Sequence, residues 1–219
     1  MRSATVLQPK QANQCSQSLG AKMAELGYPY KRLNVPKDWL PINGKLPSEA
    51  LGKLSCGGTG WFDPNHCGGF VFACNIMYDD ARKAGITLKA VSEGYRSYAR
   101  QEALFYDRYE DRPTGRKPEV TRYFNGGKWY LKVGKSPSAT PGYSPHGWGV
   151  AQDFDVNNGD VFAWLRANAP KYGLYLQGPP AYLATGPNPE YEPWHWQLSE
   201  PLNPTRLVRR RWRQFKKLL

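Results

Sequence analysis

Apolar and polar positions alternate along this chain in short blocks, each closed by Gly or Pro. In FVFACNIMYDDARKA (70–84), Phe70, Ala73, Met77, Ala81 and Ala84 recur near helical spacing, and Gly85 follows as a stop; the pattern predicts a helix. ITLKAVSEGYR (86–96) reads as a strand running into a turn. SYARQEALFYDRY (97–109) predicts a second helix, with Ser97 as N-cap and Ala99, Leu104, Phe105 and Tyr109 on its apolar face. TRYF and KWYLKV flank Asn125-Gly126, the signal of a tight hairpin. GVAQDFDV (149–156) predicts a short alternating strand that buries Val150, Phe154 and Val156 and turns Asp153 to the other side. A compact helix over 161–173, an extended piece at 174–177 and a strand at 195–198 complete the body.

The order of elements predicts an α+β fold with a small, mainly antiparallel sheet flanked by helices. At 219 residues the chain fits one domain, 1–204, with an irregular N-terminal part. Within that part, residues 1–20 are polar, apart from a short helix in QCSQSLGAKMAEL, and 33–47 wander over the surface. Residues 205–219, TRLVRRRWRQFKKLL, form a basic amphipathic helix or tail in which Val208, Trp212, Phe215 and Leu219 make the apolar face. It either packs on the domain or stands free for an anionic polymer or membrane surface. The Pro-, Gly- and Lys-rich stretch 110–143 is long for a connection without a role and is expected to be a binding loop or lid.

Thirty basic residues against 18 acidic ones give a formal charge of +12, which draws the protein to polyanions without choosing among them. No helix-turn-helix, zinc-finger or RNA-binding signature accompanies the charge, so no nucleic acid is expected. A monomer is expected. The opening MRSATVLQPKQANQ lacks the apolar run of a signal peptide, so synthesis in the cytoplasm and a non-classical exit are expected. Cys15, Cys56, Cys67 and Cys74 permit two disulfides in three pairings, free thiols, or a structural metal; the last lacks the usual close C-x-x-C pair.

Candidate chemistry lies in two turn-rich places. His146 sits in SPHGWG and Asp153 follows seven residues later, while His195 lies between Trp194 and Trp196, whose indoles would share the opposite face of an extended segment. Two imidazoles and a carboxylate are the ligand set of an open, catalytic zinc site, not a closed structural one. Glu192, three residues before His195, is then placed to act as general base. Asp155 shares the strand face of Asp153 and is expected to orient a histidine. His66 has no matching acid pattern and reads as an ordinary turn residue.

SEGYRSYARQ (92–101), SPHGWGVAQDFDV (144–156) and EPWHW (192–196) together resemble the VanY-type D-alanyl-D-alanine carboxypeptidases. These belong to a wider group of zinc peptidases with a hedgehog/DD-peptidase-like fold, which includes phage L-alanyl-D-glutamate endolysins and lysostaphin-like enzymes. The matched blocks run over residues 86–198. The resemblance implies one catalytic Zn2+ on His146, Asp153 and His195, Glu192 as base, and Arg96 as the guanidinium that steadies the oxyanion. It implies supporting or substrate-contacting roles for Ser144 and Gln101, and Trp194 and Trp196 are expected nearby. The implied substrate is a peptidoglycan stem peptide. Small size, basic tail and missing leader favour an endopeptidase of the endolysin kind, released through a holin. D-alanyl-D-alanine carboxypeptidase activity is the first alternative, and a non-catalytic cationic wall- or nucleic-acid-binding module is the alternative of another class.

Overall fold

The computed structural model describes residue 31 and residues 33–177 and 192–219. The short helix expected near the N-terminus and Cys15 lie outside these residues. The architecture is α+β, with small antiparallel sheets and flanking helices.

Helix α1 (Gly69–Lys83) is the spine of the core. Phe70, Ala73, Met77 and Ala81 are buried as their spacing predicts, and Cys74 joins them. Ala84 caps the helix instead of extending its buried face, and Gly85 takes φ +76° to end it. A two-stranded ribbon, β1 (Leu51–Lys53) and β2 (Thr59–Trp61), packs beside α1. Residues 86–96 depart from expectation: they form bends and turns, and among the described residues a lone bridge from Ala90 to Phe154 is their only strand-like pairing. Their backbone bonds are scattered over several elements, Val91 N to Asp153 O on β6, Tyr95 N to Thr59 O on β2 and Arg96 N to His146 O in the histidine turn, so the segment is spent on positioning the site.

Helix α2 (Tyr98–Arg108) starts where Ser97 Oγ accepts from Arg100 N. Strand β3 (Tyr109–Glu110) follows directly, then β4 (Thr121–Phe124) and β5 (Gly127–Leu131). The last two pair around Asn125 (φ +49°) and Gly126 (φ +74°), the positive-φ pair of a two-residue hairpin. The sheet runs β3-β5-β4 and closes a second, smaller core in which Phe105 stacks on Tyr109 at 4.7 Å and meets Phe124 edge-on at 5.0 Å.

The central sheet runs β6-β8-β7, built from β6 (Ala151–Asp153), β7 (Leu174–Leu176) and β8 (His195–Leu198). Leu174 lies across from Leu198 and Leu176 from Trp196, and all four turn into the main core. Helix α3 (Gly159–Asn168) crosses between β6 and β7 and ends through a 3-10 turn at Gly173. Helix α4 (Arg206–Phe215) lies against α1 and carries the basic tail back onto the domain. Among the described residues no helix is long and apolar enough to cross a membrane. Cys56, Cys67 and Cys74 are free thiols, with Cys56 and Cys74 Sγ atoms 4.0 Å apart, and among the described residues none of them joins a metal-ligating group.

Candidate active site

The register of the central sheet makes the site. Asp153 on β6 is the direct cross-strand partner of His195 on β8, and directly opposed side chains on one face stand about 5 Å apart. His195 Nδ1 lies 3.0 Å from Asp153 Oδ1. His146 arrives from the 3-10 turn Pro145–Trp148, where Pro145 opens the turn and Gly149 closes it with φ +63°. Its Nε2 lies 3.3 Å from both Asp153 Oδ1 and His195 Nδ1. All three side chains are buried.

Each ligand is oriented from behind. His146 Nδ1 donates to the carbonyl of Gly94 at 3.1 Å, so its Nε2 carries the lone pair. His195 Nε2 donates to Gln197 Oε1 at 3.2 Å, leaving Nδ1 free in turn. Ser92 Oγ donates to Asp153 Oδ2 at 2.6 Å, which leaves Oδ1 facing the imidazoles. Two lone pairs and a carboxylate oxygen thus converge on one point, and this donor set fits a single zinc ion. Burial disfavours the charged form of Asp153; when the two imidazoles carry a second proton, their hydrogen bonds and charge hold its carboxyl well below the usual carboxylate range. Burial pulls His146 down; in His195 the contact with Asp153 outweighs burial and moves it up.

Glu192 stands beside this centre through a tight turn. Its carbonyl accepts from His195 N at 2.9 Å, and Pro193 presets the φ that such a turn needs at its second residue. Glu192 Oε2 is 3.9 Å from His195 Nδ1, near enough to face the site without ligating in place of Asp153. Burial pushes its carboxyl up, against the pull of His195. The cleft in front, about 300 Å3, is lined by His146, Asp153, His195, Glu192, Arg96, Ser144 and Trp194 among others.

A family model described as VanY, D-alanyl-D-alanine carboxypeptidase, matches residues 70–200. The chain belongs to the VanY family. YodJ of Bacillus subtilis (strain 168), a candidate carboxypeptidase by name, is 34% identical over 136 residues, 56% of this chain and 42% of that protein. The chain therefore spans less than half the length of this relative. The solved LdcB LD-carboxypeptidase shares the fold, with a TM-score of 0.50 and 22% identity over 86% of this chain and 91% of its own. A VanYB structure in complex with D-alanine-D-alanine gives 0.46 and 20% identity over 78% and 87% of the two chains.

Within this VanY-family frame two expected residues lie elsewhere, and Gln101 takes the supporting role expected of it. Asp155 does not orient a histidine: its Oδ1 accepts from Asn157 N in the turn after β6, and Gly94, Gln197 and Ser92 take the orienting role. Trp196 is fully buried and packs toward Phe162 in the core, while Trp194, 40% exposed, lines the cleft. The two indoles part because β8 begins only at His195, so Trp194 belongs to the turn and escapes the strand alternation. Gln101 is a buried brace and does not line the cleft. Its Nε2 donates to Asn43 Oδ1 and Arg96 O, and its Oε1 accepts from Gly142 N. Asn43, for which the sequence gives no local signal, also donates to Ser144 O and so ties the segment before β1, and α2 through Gln101, to the histidine turn. Gln197 was legible, since it stands two residues from His195 on the same strand face.

Proposed function

We propose that this protein is a zinc-dependent carboxypeptidase that removes the terminal D-alanine from D-alanyl-D-alanine stem peptides of peptidoglycan. The reading rests on one observation above others: His146 Nε2, His195 Nδ1 and Asp153 Oδ1 converge beside the Glu192 carboxylate at the floor of an open, arginine-lined cleft. A zinc ion held there supplies a Lewis acid that acidifies water and polarises the scissile carbonyl. Glu192 takes the proton of the attacking water and delivers it to the departing amine nitrogen, so the protein forms no covalent intermediate. Arg96, a cleft residue whose buried Nε makes no hydrogen bond among the described residues and stands 3.5 Å from the Glu93 carboxylate, donates to the oxygen on which charge develops. Ser144 and Trp194 line the approach.

Family membership supports the carboxypeptidase over the endolysin-type cleavage of L-alanyl-D-glutamate. A purely cationic binding module would have no use for Glu192 beside the ligand set. The exposed basic face of α4 suits anionic wall polymer as a second partner. Mass spectrometry of peptidoglycan fragments after digestion, with and without a zinc chelator, tests the reading. Chelator-sensitive loss of one terminal alanine from pentapeptide stems is the expected result. Cuts inside the stem, or loss of alanine from tetrapeptides alone, would replace it with an endopeptidase or an L,D-carboxypeptidase.

A further inference from the structure

Three guanidiniums line the cleft: Arg96, Arg108 and Arg122. They are not equally occupied. Arg96 lies 3.5 Å from the Glu93 carboxylate. Arg108 donates from Nη1 to Pro137 O at 3.0 Å and so pins the wall formed by residues 136–139. Among the described residues Arg122, on β4, donates only to the carbonyl of its neighbour Thr121 at 3.2 Å. Among the described residues, neither Arg108 nor Arg122 has a carboxylate within ion-pair distance. Ser138, in the same wall, has a buried hydroxyl oxygen without a hydrogen-bond partner. The strand that carries Arg122 is firmly held: Phe124, two residues away on the same strand face, is locked in the second aromatic core.

A carboxypeptidase substrate brings one terminal carboxylate and one developing oxyanion to the cleft. Arg122 is a cation in excess of those two, on a rigid hairpin, with a fork geometry suited to a planar anion. We infer that Arg122, with Ser138 lining the same cleft, is a specificity-determining residue that receives a second carboxylate of the substrate, on a residue N-terminal to the scissile bond. The inference rests on the carboxypeptidase reading. A stem peptide has two such groups, the α-carboxylate of its isoglutamyl residue and the side-chain carboxylate of a diaminopimelyl residue.

Three synthetic pentapeptides test it on the zinc-replete protein: one with both carboxylates free, and one with each singly converted to the carboxamide. In the wild type, one of the two amidations lowers kcat/KM by about 10-fold or more, which names the carboxylate that is read. In Arg122→Gln that ratio collapses to within about 2-fold, and Arg122→Lys, keeping the charge without the fork, retains an intermediate ratio. Equal turnover of all three peptides by the wild type overturns the inference, as does an amidation penalty that persists in Arg122→Gln at full zinc content. A zinc-replete wild type that cleaves none of the three fails at the earlier step, because it removes the carboxypeptidase reading and the inference with it.

Discussion

Glu192 and Gln197 flank His195 and do opposite jobs, so substitution separates them. Glu192→Gln keeps shape and hydrogen bonding but cannot take a proton. It is expected to bind zinc stoichiometrically while turnover falls by roughly 10²–10⁴; metal analysis beside a peptide assay reads both, and substantial retained turnover would exclude Glu192 as base. Gln197→Ala removes the acceptor that fixes the His195 tautomer. It is expected to weaken zinc about 10–100-fold in a chelator competition while the loaded enzyme keeps most of its activity. Residue identity and spacing made His146, Asp153, His195 and Glu192 readable, because metal ligation demands particular side chains in particular order. Asp155 misled for a physical reason: strand alternation ends with β6 at Asp153, and the next carboxylate is captured by its own turn. Asn43 stayed hidden because its partners, Ser144 and Gln101, lie 101 and 58 residues away, and a long-range polar brace leaves no local pattern.

At the scale of elements, what carries the site is the turn Pro145–Trp148 together with the strand pair β6-β8. Gly149 closes the turn at φ +63°; a Cβ there would lie 2.7 Å from Trp61 N, and its carbonyl accepts from that same nitrogen. Gly149→Ala therefore meets a backbone, not a side chain that can swing away. The strained φ alone costs about 2 kcal/mol, which corresponds to about 4–8 °C in Tm for a domain of this size. Because the turn also sets His146, zinc affinity should fall together with Tm in calorimetry and metal titration; a stable variant with unchanged zinc affinity would show the turn to be dispensable. The hairpin at Asn125-Gly126 and the face of α1 were legible for the same reason, since both are written in short-range chemistry. The segment 86–96 was not, because its backbone bonds reach singly to Thr59, His146 and Asp153 and build no ladder.

For the molecule as a whole, the open question is the basic C-terminal helix, and the structure changes how it must be tested. Thr205 caps α4, Val208 and Trp212 are buried, and the Trp212 ring meets Phe72 edge-on at 4.9 Å. Arg211 reaches Asp80 at 3.2 Å, and Tyr172 donates to that same carboxylate, so three parts of the chain share one acid. The apolar stripe divides along its length: Val208 and Trp212 hold the domain, whereas Phe215 and Leu219 are exposed. Removing the helix would expose the flank of α1, so loss of wall binding in such a deletion would say nothing about charge. Trp212→Ala should destabilise by roughly 3 kcal/mol and lower every activity with the folded fraction. Replacing the outward Arg210, Arg213, Lys216 and Lys217 with Gln leaves those contacts alone. That variant should keep Tm and turnover of a soluble stem peptide, yet bind isolated walls more weakly and with a flatter dependence on salt. Co-sedimentation with walls across a salt series is the measurement; unchanged binding would make α4 a structural buttress whose charge merely faces solvent.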